Sequence, residues 1–251
     1  MPYIPVAGTH IYYAESGSPG GRPLLLLHAA LQAAEATEPL VSLVGPFGYR
    51  MVSPDQRGHG RSANPDQGFT IARLADDMVA LMVALGLEQP VVAGFSLGGT
   101  VAVELARRGL VSGLVVLAGR IRAAGVGDGA EGRANAFDPA GIRRRSPLWA
   151  EHLAEVHVQT PWEQLAVQLG ELFAGWPGFS AADLAGIACP TLVAQGDQDE
   201  MVPVVQAREL AGAIPGAQLY IAPRGKHPEL LYRSDVQRII GAFLGPEGPI
   251  L

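Results

Sequence analysis

VVAGFSLGGTVA, residues 91–102, joins a β-branched apolar run to an Ala- and Val-rich run through the turn Gly94-Phe95-Ser96-Leu97-Gly98. A serine on a tight strand-to-helix turn has a strained backbone, and glycines flank it because neighbouring chain would collide with side chains there. The turn lifts the Ser96 hydroxyl clear of the sheet, and the next helix points its first N–H groups at it. A Gly/Ser turn that matches a short pattern is the alternative. The strand-like run before the turn and the helix-like run after it favour a nucleophilic serine.

The composition is that of a compact protein with one large domain. Of 251 residues, 48% are hydrophobic and 17% are charged, and the net charge of −6 argues against non-specific nucleic-acid binding. Cys189 is the only cysteine, which excludes an intramolecular disulfide and argues against a cysteine-based metal site. The N-terminal residues lack a secretory pattern, and the apolar run at 24–27 is too short to span a membrane. We expect a cytoplasmic protein with no metal, no nucleic-acid partner and no membrane partner.

Short apolar runs alternate with runs of helical spacing along most of the chain. Residues 3–6 and 10–15 predict a hairpin, and further strands are predicted just before Ser96 and at 23–28, 49–53, 113–118, 189–195 and 218–222. Helices are predicted at 39–44, 70–85, 97–108, 204–213 and 235–244. This alternation predicts an α/β fold with a mostly parallel sheet and helices on both faces. Ligands of such sheets bind at the carboxyl ends of the strands, where His28, Ser96 and the loop around Asp55 lie.

The alternation is interrupted between about residues 120 and 180. Residues 123–132 are rich in Gly and Ala and predict a flexible loop. Ser146-Pro147 predicts a helix that reaches about residue 158, and Thr160-Pro161-Trp162-Glu163 predicts a capping box and a second helix. We expect this helical stretch to lie over the catalytic edge as a cap. The arginines of this stretch are expected either to attract an anionic substrate or to form a solvated basic face. They are Arg120, Arg122, Arg133, Arg143, Arg144 and Arg145.

Acyl transfer by a serine needs a base that takes its proton and a carboxylate that orients the base. After Ser96, the chain supplies an acidic loop at 196–200 and then His227, each following a predicted strand. His227 is the only histidine in the C-terminal third of the sequence. The order of serine, acid and histidine therefore predicts a catalytic triad, and a surface histidine beside Pro228 is the alternative.

Six segments together resemble an α/β-hydrolase with a small helical cap, and the resemblance covers essentially the whole chain. They are LLLLH at 24–28, DQRGHGRS at 55–62, GFSLGG at 94–99, PTLV at 190–193, GDQDEMVP at 196–203 and GKH at 225–227. The resemblance implies a doubly wound, eight-stranded, mostly parallel sheet. It also implies a hydrolase core formed by 1–119 and 186–251, with a helical cap inserted at 120–185.

The resemblance assigns roles to particular residues. It selects Asp199, third after Gly196, as the acid of the triad, with Asp197 as the alternative. It implies an oxyanion hole built from the backbone N–H groups of Leu97 and Ala30, which would hold the negative charge of the transition state.

Other implied roles concern the loops around the triad. His28 is expected to fix its own loop by hydrogen bonds, and Asp55 is expected to pair with Arg57. Three departures from the family pattern matter: Ala29 replaces a glycine, Lys226 replaces a glycine or small residue before the histidine, and the cap is rather poor in aromatic residues. If the position of Ala29 requires a positive φ, the alanine is strained. The substrate-binding candidates are His28, Trp149, Trp162, Phe173 and Trp176.

The sequence thus predicts a cofactor-independent serine hydrolase that acts on a small carboxylic ester or lactone, as a monomer or homodimer. The elbow is also similar to that of cofactor-free haloperoxidases, so formation of a peracid is the nearest alternative. Hydrolysis of a C–C bond and acyl transfer to another acceptor use the same triad, because the shape of cap and pocket selects the acceptor. A non-enzymatic ligand receptor on this fold is an alternative of a different class.

Overall fold

The computed structural model describes residues 2–6, 8–66, 68–123 and 136–249. The loop predicted at 123–132, except for Ala123, lies outside the described residues, as does Arg133.

Within the described residues, eight strands form one sheet: β1 (Tyr3–Val6), β2 (Thr9–Gly17), β3 (Pro23–Leu27), β4 (Arg50–Pro54), β5 (Val91–Phe95), β6 (Gly113–Leu117), β7 (Thr191–Gly196) and β8 (Gln218–Ala222). Their order across the sheet is β1-β2-β4-β3-β5-β6-β7-β8. β1 and β2 form the predicted hairpin, and β2 also pairs antiparallel with β4. All pairs from β4 across to β8 are parallel. The predicted eight-stranded, mostly parallel sheet is confirmed.

The helices of the described residues are α1 (Glu38–Val44), α2 (Ile71–Leu85), α3 (Leu97–Arg107), α4 (Pro139–Arg145), α5 (Pro147–Val156), α6 (Trp162–Gly175), α7 (Ala181–Ala185), α8 (Val204–Ala213) and α9 (Ser234–Leu244), and α1, α2, α3, α8 and α9 follow the predicted alternation. The bounds of α2 have a local cause. Thr70 caps its first turn by accepting the N–H of Arg73, and Gly86 ends it with a φ of 63°. No helix in the described part of the chain is long and apolar enough to cross a membrane.

The central strands are buried on both faces, because helices cover the sheet on either side. Leu24 and Val91 belong to a core with residues of α1 and α9, whereas Leu25 and Val92 belong to a core with residues of α2, α3 and α8. Consecutive residues of a strand point to opposite faces, so the continuous apolar runs fill both cores. The sheet is therefore doubly wound, as predicted.

The segment between β6 and β7 differs from its prediction in three details. α5 begins at Pro147 as expected, but the capping box at Thr160 is wrong, since α6 begins at Trp162 with no side-chain cap. The carboxylate of Glu163 binds Arg143 instead of the helix N-terminus. Two short helices, α4 and α7, were not predicted.

Candidate active site

Ser96 stands between the last residue of β5 and the first residue of α3, with φ 55° and ψ −113°. A positive φ is costly for a residue other than glycine, about 1–3 kcal/mol, so the surrounding structure must hold it. The N–H of Ser96 donates to Leu117 O on the neighbouring strand at 2.8 Å, and its C=O accepts from Thr100 N at 3.0 Å. These bonds anchor the serine from both sides and leave its side chain half-buried.

The glycines of the elbow allow close backbone contacts. A Cβ on Gly94 would lie 2.2 Å from Gly98 O, and a Cβ on Gly98 would lie 2.2 Å from Leu27 O. Both neighbours are backbone atoms, which cannot turn aside as a flexible side chain can. The helix can therefore approach the sheet only with glycine at both positions.

Asp199 and His227 meet across the loops that follow β7 and β8. His227 Nδ1 lies 2.7 Å from Asp199 Oδ2, and the side chain of Asp199 is fully buried. The other oxygen, Oδ1, accepts the N–H groups of Met201 and Val202 at 2.8 Å each. A carboxylate can only accept, so Nδ1 carries the proton and Nε2 is free to act as a base.

The two loops are brought together by a close backbone contact at their bases. Gly196 and Ala222, at the ends of β7 and β8, are partners in the parallel register. A Cβ on Gly196 would lie 2.1 Å from Gly225 O, and Gln198 N donates to that same oxygen at 3.0 Å. The alternative acid, Asp197, is exposed on this loop.

A cavity of about 260 Å³ lies over the elbow, and Ser96 and His227 both line it. The ring of His227 stacks on Phe95 with the ring centroids 4.9 Å apart. Other lining side chains come from the loop after β3 and from α4 and α5: Leu31, Gln32, Ile142, Arg145 and Trp149. The serine and the histidine thus line the same cavity.

The loop after β3 is held from beneath by His28. Its Nε2 accepts the N–H of Gln56 at 2.9 Å, and its Nδ1 donates to Ala29 O at 2.8 Å. Burial lowers the pKa of His28, so the ring stays neutral and keeps both bonds. The positive φ of this loop falls on Leu31, at 58°, and not on Ala29. The strain considered for Ala29 is therefore absent.

The two residues of the predicted oxyanion hole come from the loop after β3 and from the elbow itself. Ala30 lines the cavity, and Leu97 is the first residue of α3. The first N–H groups of a helix have no acceptor in the preceding turn. A donor role for the N–H of Leu97 in the cavity stays a prediction.

Of the five predicted substrate-binding residues, Trp149 lines this cavity and the other four are placed elsewhere. His28 and Trp162 are buried in the interior. Phe173 stacks on Phe137 with the centroids 5.7 Å apart, and Trp176 lines a separate cavity of about 600 Å³ between α2, α3 and α6. Sequence spacing alone does not distinguish a residue packed in the helical layer from one that faces the cavity.

The predicted pair of Asp55 and Arg57 is wrong, because each residue has a different partner. Arg57 makes a bidentate ion pair with Asp77 of α2, at 2.6 and 2.7 Å. Asp55 accepts the N–H of Ala34 at 2.7 Å and the guanidinium of Arg61 at 2.8 Å. The loop is therefore closed on itself by Asp55 and Arg61, and it is tied to α2 by Arg57 and to the segment at Ala34 by Asp55.

The arginines of residues 120–145 fall into different environments. Arg120 is buried, and its guanidinium donates to Met201 O at 2.6 Å and lies over the ring of Phe173. Arg122 and Arg143 pair with Glu209 and Glu163, and Arg144 is exposed. Arg145 lines the cavity at Ser96, which none of the other described arginines of this set does.

Two neighbours of the predicted triad were not predicted from the sequence. Gln195 donates to Asp199 Oδ2 at 2.7 Å, and Phe95 stacks on His227. Gln195 has no local signal apart from its place just before Gly196. Phe95 lies next to Ser96, but only the topology of the sheet brings it to His227.

The fold and the site define an α/β-hydrolase. A model of the alpha/beta hydrolase family matches residues 24–242, and the chain belongs to this family of hydrolase enzymes. It is 29% identical over 258 residues to a non-heme haloperoxidase of Rhodococcus erythropolis, covering 90% of this chain and 93% of that one. It is 28% identical over 261 residues to a serine hydrolase of Mus musculus, covering 96% and 85%. Among solved structures, an enol-lactonase from Burkholderia xenovorans LB400 superposes with a TM-score of 0.79 at 26% identity, covering 97% and 99%.

Proposed function

We propose that this protein is a serine hydrolase that cleaves small carboxylic esters or lactones through an acyl-enzyme. Ser96 is the nucleophile, His227 is the base and Asp199 is the acid that orients it. The observation that carries the proposal is the 2.7 Å contact of Asp199 with His227 Nδ1, which leaves Nε2 to serve the serine in the shared cavity. The similarity to a serine hydrolase and to an enol-lactonase supports the same class of substrate.

In the proposed reaction, Ser96 Oγ attacks the carbonyl carbon while its proton passes to His227 Nε2. The N–H groups of Leu97 and Ala30 hold the oxyanion that forms. The oxyanion collapses, the bond to the leaving alkoxide breaks, and His227 returns the proton to that oxygen. Water then attacks the acyl-enzyme with His227 again as the base, which releases the acid and restores Ser96. These steps need no cofactor.

We also propose that residues 120–185 act as a cap that limits the size of the acyl group. Ile142 and Trp149, of α4 and α5, line the cavity above Ser96. Its volume of about 260 Å³ is below the roughly 300–1,000 Å³ typical of pockets for drug-sized ligands. An acyl group of a few carbons therefore fits better than a long chain.

The test is the hydrolysis of p-nitrophenyl esters from acetate to laurate by the wild type, Ser96→Ala and Ser42→Ala. Ser42 is an exposed serine of α1 and controls for the loss of a hydroxyl. The proposal predicts turnover with an optimum between acetate and butyrate, lost in Ser96→Ala and kept in Ser42→Ala. Turnover that survives in Ser96→Ala would reject the serine mechanism, and an optimum at laurate would reject the small cavity.

A second candidate is perhydrolysis, which the similarity to a non-heme haloperoxidase over 90% of the chain favours. Here hydrogen peroxide takes the place of water in the second step. It attacks the acyl carbon, the bond to Ser96 Oγ breaks, and the peracid is released. Adding hydrogen peroxide to the best ester and assaying the peracid separates the two activities. A peracid yield well above the uncatalysed rate, absent in Ser96→Ala, would support this candidate.

A further inference from the structure

Gln195, the last residue but one of β7, reaches the carboxylate of Asp199 from inside the core. Its side chain is fully buried, and its Nε2 donates to Asp199 Oδ2 at 2.7 Å and to Val202 O at 2.9 Å. Asp199 Oδ2 is also the atom that lies 2.7 Å from His227 Nδ1. Asp199 Oδ2 therefore accepts from two donors, Gln195 Nε2 on β7 and His227 Nδ1 on the loop after β8.

The amide oxygen of Gln195, Oε1, shows that the side chain is useful here for its Nε2 donor. Gln195 Oε1 has no hydrogen-bond partner among the described residues. A buried acceptor without a partner destabilises the fold, and an apolar side chain of similar length, such as methionine, would avoid that cost. The reverse orientation of the amide would place Oε1 against the carboxylate of Asp199, with two acceptors facing each other. The position therefore keeps an amide for the sake of its Nε2 donor.

We propose that Gln195 is a positioning residue for the acid of the triad, an inference that rests on the proposed function. Its Nε2 fixes the direction of Oδ2 towards His227, and its bond to Val202 O ties down the loop whose N–H groups hold Oδ1. By donating to Oδ2, it also limits how strongly the carboxylate stabilises a protonated His227. Gln195 is not among the residues that line the cavity, so it acts through Asp199 and not on the substrate.

Gln195→Met removes the donor and keeps the length of the side chain. We expect kcat to fall about tenfold, which corresponds to 1.36 kcal/mol of transition-state stabilisation, with KM within about twofold of the wild type. With one donor fewer on Oδ2, the carboxylate favours protonated His227 more strongly. The acidic limb of the kcat/KM profile should therefore move to higher pH, by about half a unit or more.

Gln195→Leu removes the whole amide and leaves no buried polar atom, so it serves if the methionine variant folds poorly. It leaves Asp199 Oδ2 with the same single donor, His227 Nδ1, as in Gln195→Met. We therefore expect an upward shift of the acidic limb and a loss of kcat similar to those of Gln195→Met.

The matched control is Gln206→Met, which removes a second fully buried glutamine amide outside the triad. Gln206 Oε1 accepts the N–H of Ile121 at 3.0 Å, and neither residue lines the cavity. This variant should lower the melting temperature while kcat and the pH profile stay close to those of the wild type. A purely structural role for Gln195 predicts the same behaviour for both glutamine variants.

Labelling of Ser96 by a fluorophosphonate, with Ser96→Ala as a blank, separates failure of this inference from failure of the proposed function. Rapid labelling of the wild type and about tenfold slower labelling of Gln195→Met would support the inference. Equal rates and unshifted pH profiles in Gln195→Met and Gln195→Leu, with Ser96 essential, would overturn the inference alone. Absence of labelling in the wild type would overturn the proposed function and the inference with it.

Discussion

Asp199→Asn tests the charge of the proposed acid, because it preserves the shape of the side chain. Asp199 Oδ1 accepts two backbone N–H groups at 2.8 Å each, so the oxygen of the new amide takes that side and its NH2 faces His227. Opposite an NH2 donor, His227 must accept at Nδ1 and carry its proton on Nε2. The ring then has no lone pair on Nε2 with which to take the proton of Ser96.

The expected loss in kcat is about 10⁴-fold, or about 5 kcal/mol, which is the known cost of this wrong tautomer in a serine triad. The fold should survive. Gln195 can turn its amide and accept the new NH2 with Oε1, at the cost of its Nε2 bond to Val202 O. We therefore expect a melting temperature within a few degrees of the wild type together with nearly complete loss of activity.

The assay measures kcat on the best p-nitrophenyl ester for the wild type, Asp199→Asn and Asp197→Asn, with melting curves for all three. Asp197 is exposed, so its amide variant should stay within about twofold of the wild type. The reasoning is refuted if Asp199→Asn keeps more than about a tenth of the wild-type kcat. A larger loss in Asp197→Asn than in Asp199→Asn would show that the acid was wrongly chosen.

Three further predictions concern stability and selectivity. Asp77→Asn should lower the free energy of unfolding by about 3–5 kcal/mol in urea titrations, because the fully buried guanidinium of Arg57 loses its bidentate partner; a loss under about 1 kcal/mol would contradict this. Arg145 lines the cavity, so Arg145→Gln should raise KM for the anionic ester p-nitrophenyl monoglutarate about tenfold relative to KM for the neutral p-nitrophenyl butyrate. Arg144→Gln should leave the ratio of these two KM values unchanged, and an equal ratio in both variants would exclude binding of the substrate anion by Arg145. Burial lowers the pKa of His157 to about 4 from 6.5, so between these pH values the unfolded chain binds one proton more than the folded chain, and the free energy of unfolding falls by about 3 kcal/mol as the pH drops through them. His157→Gln should flatten this part of the curve of unfolding free energy against pH, measured by urea titration, and an unchanged slope would refute the prediction.

The sheet was predictable from sequence because its strands carry continuous apolar runs with clear breaks. β5 and β6 are buried along their whole length, and the helix after Thr70 starts and stops at residues that cap it. The short helices between β6 and β7 were missed because so few residues give little periodicity. Their signals were local caps: Asp138 accepts the N–H groups of Ala140 and Gly141. Thr160 carries a similar capping pattern, but the partner of Glu163 is a cation on another helix, Arg143.

Sequence motifs predicted which residues belong to the candidate site more readily than which residues surround it. The position of Ser96 can be read from the sequence because the glycines on either side of it, Gly94 and Gly98, are required by the close backbone contacts of the turn. Trp162 carries no such trace, because a bulky residue packed in the interior and one facing a cavity occupy the same positions in a helical pattern. The partner of Arg57 is equally hidden, since Asp77 lies on a different helix and is selected by the fold alone.

The contact between Asp199 and His227 depends on a feature that spacing along the chain does not express. Their loops leave adjacent parallel strands whose ends are in register, Gly196 opposite Ala222. Parallel strands lie about 4.8 Å apart, and a loop can keep that separation beyond the sheet only if no side chain intervenes. Glycine at 196 meets this condition, because a Cβ there would lie 2.1 Å from Gly225 O. Gly196 and Gly225 thus let the two loops stay as close together as the strands they follow. Asp199, three residues after Gly196, can therefore bring its carboxylate to 2.7 Å from His227 Nδ1.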